Sequence, residues 1–187
     1  MLKRLENLKV VSNTSPLIYL SKIGRLRLLH DLFGAISIPD AVASEILRGK
    51  DLSDGFASAM DVEDAIDTGW IKVEEPDKDE RGLAETYSRD PGIHLGEAAV
   101  LAMGRRFDLL LLDDLCARAF AKALGLGMVG TIGILLQAYD AGLISFAEFE
   151  ESLDDLEYYD FWLRPHLKRR IMAEAELIRL ERERNQS

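Results

Sequence analysis

At 187 residues, with 48% hydrophobic and 30% charged side chains, the chain has the make-up of one globular domain with a sizeable core and room for a helical appendage. A single cysteine, Cys116, excludes an internal disulfide, and three scattered histidines (His30, His94, His166) exclude a zinc pattern. No apolar run nears the roughly 20 residues of a membrane helix, and none of signal-peptide length precedes Ser12-Asn13, so the expected compartment is the cytoplasm, with no membrane partner.

The net charge of −10 is unevenly spread. Residues 1–30 carry six Lys/Arg against one Glu, a net +5, and residues 164–187 seven against four, a net +3. The stretch between them holds ten basic and 28 acidic residues, a net −18. Much of that acidity reads as solvated surface, and part of it as a metal-binding pocket.

In chain order, Leu8 to Ser12 reads as a short strand ending at Asn13. Pro16 opens an apolar helical stretch, where its missing N–H costs nothing, and a second short helix runs from Leu26 to Phe33. Ala35 to Ile38 is the next strand. Pro39 and Asp40 open a helix to Leu47, with Val42 and Ile46 on its core side. Residues 50–68 suggest a further helix ended by Gly69, then Trp70 to Val73 a strand. Residues 74–90 lack a firm period and read as a loop with a helical turn.

Ile93 to Arg106 is a helix, and Leu109 to Leu112 is short and apolar enough to be a fully buried strand. Asp114 can cap the following helix, which Gly125 ends. Met128-Val129 makes a last strand, Thr131 to Tyr139 a helix, and Ser145 to Glu148 a capping box. The final helix, about Pro165 to Arg184, carries Leu167, Ile171, Ala175 and Ile178 as a stripe. Strands alternating with helices imply an α/β fold with a parallel central sheet covered on both sides, and residues 142–187 form a C-terminal helical extension of a single domain spanning 1–187.

Ligands of such sheets bind beyond the carboxyl ends of the strands, where a set of polar residues falls. Asn13 follows the first strand; a turn or cap is the plainer reading of it. Glu45 borders the core side of its helix. Glu97 is the only charge in Leu95-Gly96-Glu97-Ala98-Ala99-Val100-Leu101-Ala102-Met103, a helix apolar almost all round. A carboxylate buried there needs a partner, whether a metal or an arginine such as Arg105 or Arg118.

Asp113 and Asp114 follow the four-leucine strand. Alternation points them opposite ways, so one faces the crevice and the other caps the next helix; which is which stays open. If the chain reverses its winding after the third strand, the first strand and the Leu109 strand become neighbours and these residues meet. Clustered carboxylates repel each other, and a divalent cation removes that cost. Oxygen donors without His or Cys favour Mg2+ or Mn2+.

The order of Val10-Val11-Ser12-Asn13-Thr14-Ser15-Pro16, Ile38-Pro39-Asp40 through Glu45, Leu95-Gly96-Glu97-Ala98, Leu112-Asp113-Asp114 with Ala117-Arg118, and Gly130-Thr131-Ile132-Gly133 resembles the PIN domain. The likeness covers about residues 8–180 and is nearest a prokaryotic branch tied to nucleic-acid binding and toxin–antitoxin modules. It implies a three-layer α/β/α sandwich and a metal-dependent ribonuclease hydrolysing RNA phosphodiesters, the toxin of such a module, with a cognate antitoxin as partner.

Carried over, Asn13, Glu45, Glu97, Asp113 and Asp114 are the metal ligands, the last four of them catalytic, and Ser15 a supporting hydroxyl. Asn13 departs from the aspartate usual at its position. The alternative is therefore a non-catalytic PIN-like module that binds nucleic acid or protein through a weakened metal site. The basic C-terminal helix, with Arg169, Arg170 and Arg179 beside its apolar stripe, adds the expectation of a homodimer. A phosphoacceptor receiver lacks its first-strand acidic pair and late lysine here, a haloacid-dehalogenase-like phosphatase lacks its Asp-x-Asp, and no glycine-rich phosphate loop is present.

Overall fold

A computed structural model describes residues 5, 7–49 and 56–185. Among them are five strands and ten α-helices. They begin with β1 (Val10–Ser12), α1 (Thr14–Lys22), α2 (Leu28–Phe33), β2 (Ile36–Pro39), α3 (Asp40–Gly49) and α4 (Phe56–Asp67). There follow β3 (Ile71–Glu74), α5 (Lys78–Tyr87), α6 (Leu95–Met103), β4 (Leu109–Leu111), α7 (Leu115–Ala123) and β5 (Met128–Val129). The chain ends in α8 (Thr131–Ala141), α9 (Phe146–Tyr158) and α10 (Pro165–Asn185). The helix expected from residue 50 begins, in the described residues, at Phe56; residues 50–55 lie outside them.

The sheet is wholly parallel, in the order β3-β2-β1-β4-β5. The chain winds outward through β1, β2 and β3, then returns to lay β4 against the other side of β1. That reversal after the third strand is the one the sequence requires for the acidic residues to meet. Parallel strands buried on both faces carry continuous apolar runs, and Val10-Val11, Ile36 and Leu110-Leu111 are all nearly inaccessible. The architecture is the expected three-layer α/β arrangement around this sheet.

Two local readings change. Residues 78–87 form a helix rather than a loop with a turn. Asp77 caps it by accepting from the N–H of Asp79 and of Glu80, both at 2.9 Å, while Glu80 returns a bond to the Asp77 N–H at 2.8 Å. This reciprocal cap satisfies the orphan donors of the first turn without any apolar period. The helix 93–106 is shorter than expected, because a 3-10 turn occupies Gly104–Arg106.

The described chain falls into two compact units, Met1–Thr131 and Ile132–Ser187. The first holds the sheet. Within the second, Tyr139 lies 5.7 Å from Phe149 in a near-parallel stack and 5.8 Å edge-on from Phe146. The Arg182 guanidinium donates to the Tyr139 carbonyl and sits 4.8 Å over its ring, tying α10 to α8. The Ser145–Glu148 capping box opens α9 as the sequence indicates.

Candidate functional site

The site forms where β1 and β4 end side by side, at the topological switch point. The Asn13 N–H donates to the Leu111 carbonyl at 3.1 Å, so the first residue past β1 is stitched to the end of β4. Asn13 is extended (φ −85°, ψ −177°) and opens α1 without capping it through its side chain. It is only 3% exposed, and its amide oxygen Oδ1 has no hydrogen-bond partner among the described residues. A buried acceptor left bare costs on the order of 1–3 kcal/mol, so a turn residue is a poor account of this asparagine. Its neighbour Ser15 is half-buried in the first turn of α1.

Glu45 stands exposed on α3, and its Oε2 accepts the Thr14 hydroxyl at 2.6 Å. A methyl group at Gly96 would lie 3.0 Å from that same oxygen and 3.2 Å from Val42 Cγ2. Glycine at 96 therefore admits the close approach of α3 to α6 that sets Glu45 beside Glu97. Thr14 and Gly96 escape a search for acidic ligands. The signal for the second was a glycine inside an otherwise well-formed helix, a substitution costing roughly 1 kcal/mol unless packing repays it.

Glu97 is 8% exposed on a helix whose described neighbours, Gly96 through Met103, are all buried. Its Oε2 accepts the His94 N–H at 2.8 Å, closing the first turn of α6. Desolvation raises its pKa; the His94 hydrogen bond opposes this, and the like charges of Asp114 and Glu45 add to it. Glu97 thus feels both other carboxylates. Among the described residues no arginine pairs with it: Arg118 instead donates to the Leu112 carbonyl at 2.9 Å.

Asp113 and Asp114 take different partners, with a different division of labour from the expected one. Asp113 is fully engaged by Thr131, whose N–H donates to Oδ1 at 2.7 Å and whose hydroxyl donates to Oδ2 at 2.6 Å. Desolvation raises its pKa, against those two bonds and the nearby Arg118. Gly130 has to be glycine, since a Cβ there would fall 2.6 Å from Asp113 Oδ1. Asp114 both caps α7, accepting from the Ala117 N–H at 2.9 Å, and acts on Glu97. The cap and the crevice carboxylate, assigned to two residues by alternation, are one.

The donor set around the switch point is all oxygen: Asn13, Glu45, Glu97 and Asp114, suited in kind to a hard divalent cation. The bare Asn13 oxygen and the desolvated Glu97 carboxylate, whose pKa burial raises, are the signs of a fit. Among the described residues, no three His, Cys, Asp or Glu side chains are gathered closely enough to enclose a metal. At the first of the donor positions an amide, Asn13, takes the place of a carboxylate.

A parallel α/β sheet with a buried amide at the end of its first strand, and a buried carboxylate feeling two others, defines the class. The chain belongs to the PIN-domain family, which it matches over residues 9–177. PIN domains are usually nucleases, their fold suits nucleic-acid binding, and they typically use divalent metals. No curated protein matches the chain. Among the described residues no helix is long and apolar enough to cross a membrane.

Proposed function

We propose that the protein is a Mg2+- or Mn2+-dependent endoribonuclease that hydrolyses phosphodiester bonds of RNA. The observation that carries this is Glu97, a carboxylate held on a buried apolar helix with no cationic partner among the described residues, under the charge of both Glu45 and Asp114. Stability alone gives no reason to keep it ionised there.

In this reading Asn13, Glu45, Glu97 and Asp114 hold the cation. When bound, it supplies an activated water and neutralises charge on the departing oxygen. Thr14 fixes the Glu45 carboxylate, and Gly96 gives it room. The Asp113 carboxylate accepts from the Thr131 N–H and hydroxyl, fastening the chain after β4 so that Asp114 projects from a fixed point. Water adds to phosphorus, the ester P–O bond breaks, and the proton ends on the leaving oxygen. The toxin role and a cognate antitoxin belong to the same reading and rest on the resemblance alone, while a homodimer rests also on the apolar stripe of α10.

Asn13 favours a second reading, a non-catalytic binding module. An amide oxygen can ligate a cation but adds no negative charge. Calorimetric titration of Mn2+ into wild type, Glu97→Gln and Asn13→Asp, alongside cleavage of labelled single-stranded RNA with and without chelator, decides between them. The nuclease reading expects metal-dependent cleavage, loss of metal binding in Glu97→Gln, and tighter binding in Asn13→Asp. Equal affinity in wild type and Glu97→Gln would place the metal elsewhere, and no metal binding at all would favour the binding module.

A further inference from the structure

The three exposed aromatic side chains among the described residues fall within five positions at the end of α9. Tyr158 is 80% exposed, Tyr159 37% and Trp162 73%. Scattered surface apolar residues need no explanation, whereas a contiguous group of rings does.

The local backbone holds them outward. The Asp160 N–H donates to the Glu157 carbonyl at 3.1 Å and the Phe161 N–H to the Leu156 carbonyl at 2.9 Å, ending α9 in a Schellman turn. Asp160 takes the left-handed position (φ +61°) usually filled by glycine. Leu156 and Leu163 are buried on either side of this turn and pin it, leaving Trp162 to project. Tyr158 and Tyr159 meet edge to face at 5.1 Å, and the Arg164 guanidinium lies 4.6 Å over the Trp162 ring.

The end of α9 is acidic, and Lys168 of α10 takes up two of its carboxylates, bonding Asp154 at 2.7 Å and Glu157 at 2.6 Å. Arg164, Arg169 and Arg170 are exposed, and none has a carboxylate at ion-pair distance among the described residues. Exposed rings with the Arg164 guanidinium over one of them, followed in the chain by two more exposed arginines, match what every nucleotide of an unpaired strand repeats: a flat base and an anionic phosphate.

We propose that Tyr158, Trp162 and Arg164, with Arg169 and Arg170, form a stacking platform for single-stranded nucleic acid, built from residues other than those of the carboxylate site. It takes its strand as RNA from the nuclease reading, on which that choice rests. Bases stack on Trp162 and Tyr158 and phosphates meet the arginines. Since each base has a π-face, the platform binds with little sequence preference.

The test uses the full chain and a fluorescein-labelled oligouridine, in chelator so that nothing is cut, with fluorescence anisotropy as readout. Trp162→Ala weakens binding about tenfold, and Trp162→Phe, which keeps a ring, restores most of it. Arg169→Ala with Arg170→Ala lowers the slope of log affinity against log salt by about 1.4, the single-strand value for two phosphates. A Trp70→Phe background leaves Trp162 as the only tryptophan, and its emission is quenched on binding. Unchanged affinity in Trp162→Ala overturns the proposal. So does a shift in sedimentation mass without loss of RNA affinity, which would make the rings a contact between copies of the chain. Cleavage assays on Glu97→Gln keep the two readings apart: that variant loses cutting and retains binding, whereas Trp162→Ala loses binding and cuts saturating RNA at the normal rate. If the wild type binds but never cuts, the nuclease reading falls and the platform stands.

Discussion

Replacing Glu97 by glutamine has opposite consequences for the bare and the metal-loaded protein. In chelator the glutamine amide oxygen still accepts from the His94 N–H, while the desolvated charge and its repulsion from Asp114 and Glu45 disappear. Active-site neutralisations of this type stabilise by about 0.5–2 kcal/mol. At about 2–4 °C per kcal/mol for a chain of this size, a gain of about 1 kcal/mol raises Tm by that amount.

With metal at about 100 times Kd, the wild type gains about 2.7 kcal/mol and overtakes the variant, which gains far less. The pH dependence follows from the raised pKa of Glu97. The folded protein holds that proton more tightly than the unfolded chain. The stability so contributed is complete below the ordinary carboxylate value of 4.5 and is lost as pH rises through the raised one. The advantage of Glu97→Gln is therefore largest above the raised pKa and fades on acidification. Thermal scans of both proteins, in chelator and in Mn2+ at neutral pH and at about pH 5, measure all of this. A variant less stable than wild type in chelator at neutral pH, or one stabilised equally by Mn2+, refutes the reasoning.

Asp113→Ala strips both Thr131 bonds and leaves a buried N–H bare, so urea denaturation should show a loss of about 3–5 kcal/mol, far more than a surface aspartate gives. Gly96→Ala places a methyl 3.0 Å from the Glu45 carboxylate, and kcat should fall at least about tenfold with a stability change near 1 kcal/mol; unaltered kcat would release Gly96 from its positioning role. Asp160→Gly relieves a left-handed aspartate at a helix end already crowded with acid, and should raise stability by about 0.5–1 kcal/mol in the same denaturation experiment.

The alternation of strands and helices was legible in the sequence, and the pairing of β1 with β4 was legible as a condition, since the acidic residues make sense together only if β4 lies against β1. Glu97 was legible for a similar reason, as a charge in a wholly apolar helix. The partition of Asp113 and Asp114 was half legible. Alternation gave the two residues different roles, but only the approach of Gly130-Thr131 from β5 reveals which carboxylate is consumed. Residues 78–87 were misread because their helix depends on capping, and Asp77 to Glu80 spells that cap in four letters without a stripe to support it. Thr14 and Gly96 matter through contacts with side chains about 30 and 50 positions distant, which no local pattern contains.

The order β3-β2-β1-β4-β5 also has a consequence during synthesis. When residues 1–108 have left the ribosome, β1 is paired with β2 on one side only, and its other edge awaits a strand not yet made. Glu97 has been translated by then, but Asp114 has not, and the Asn13 N–H has no Leu111 carbonyl to meet. The switch point closes only with the central β4, inserted after its neighbours on one side have already assembled. The vacant edge is also where an unfinished molecule is most open to pairing with the wrong strand.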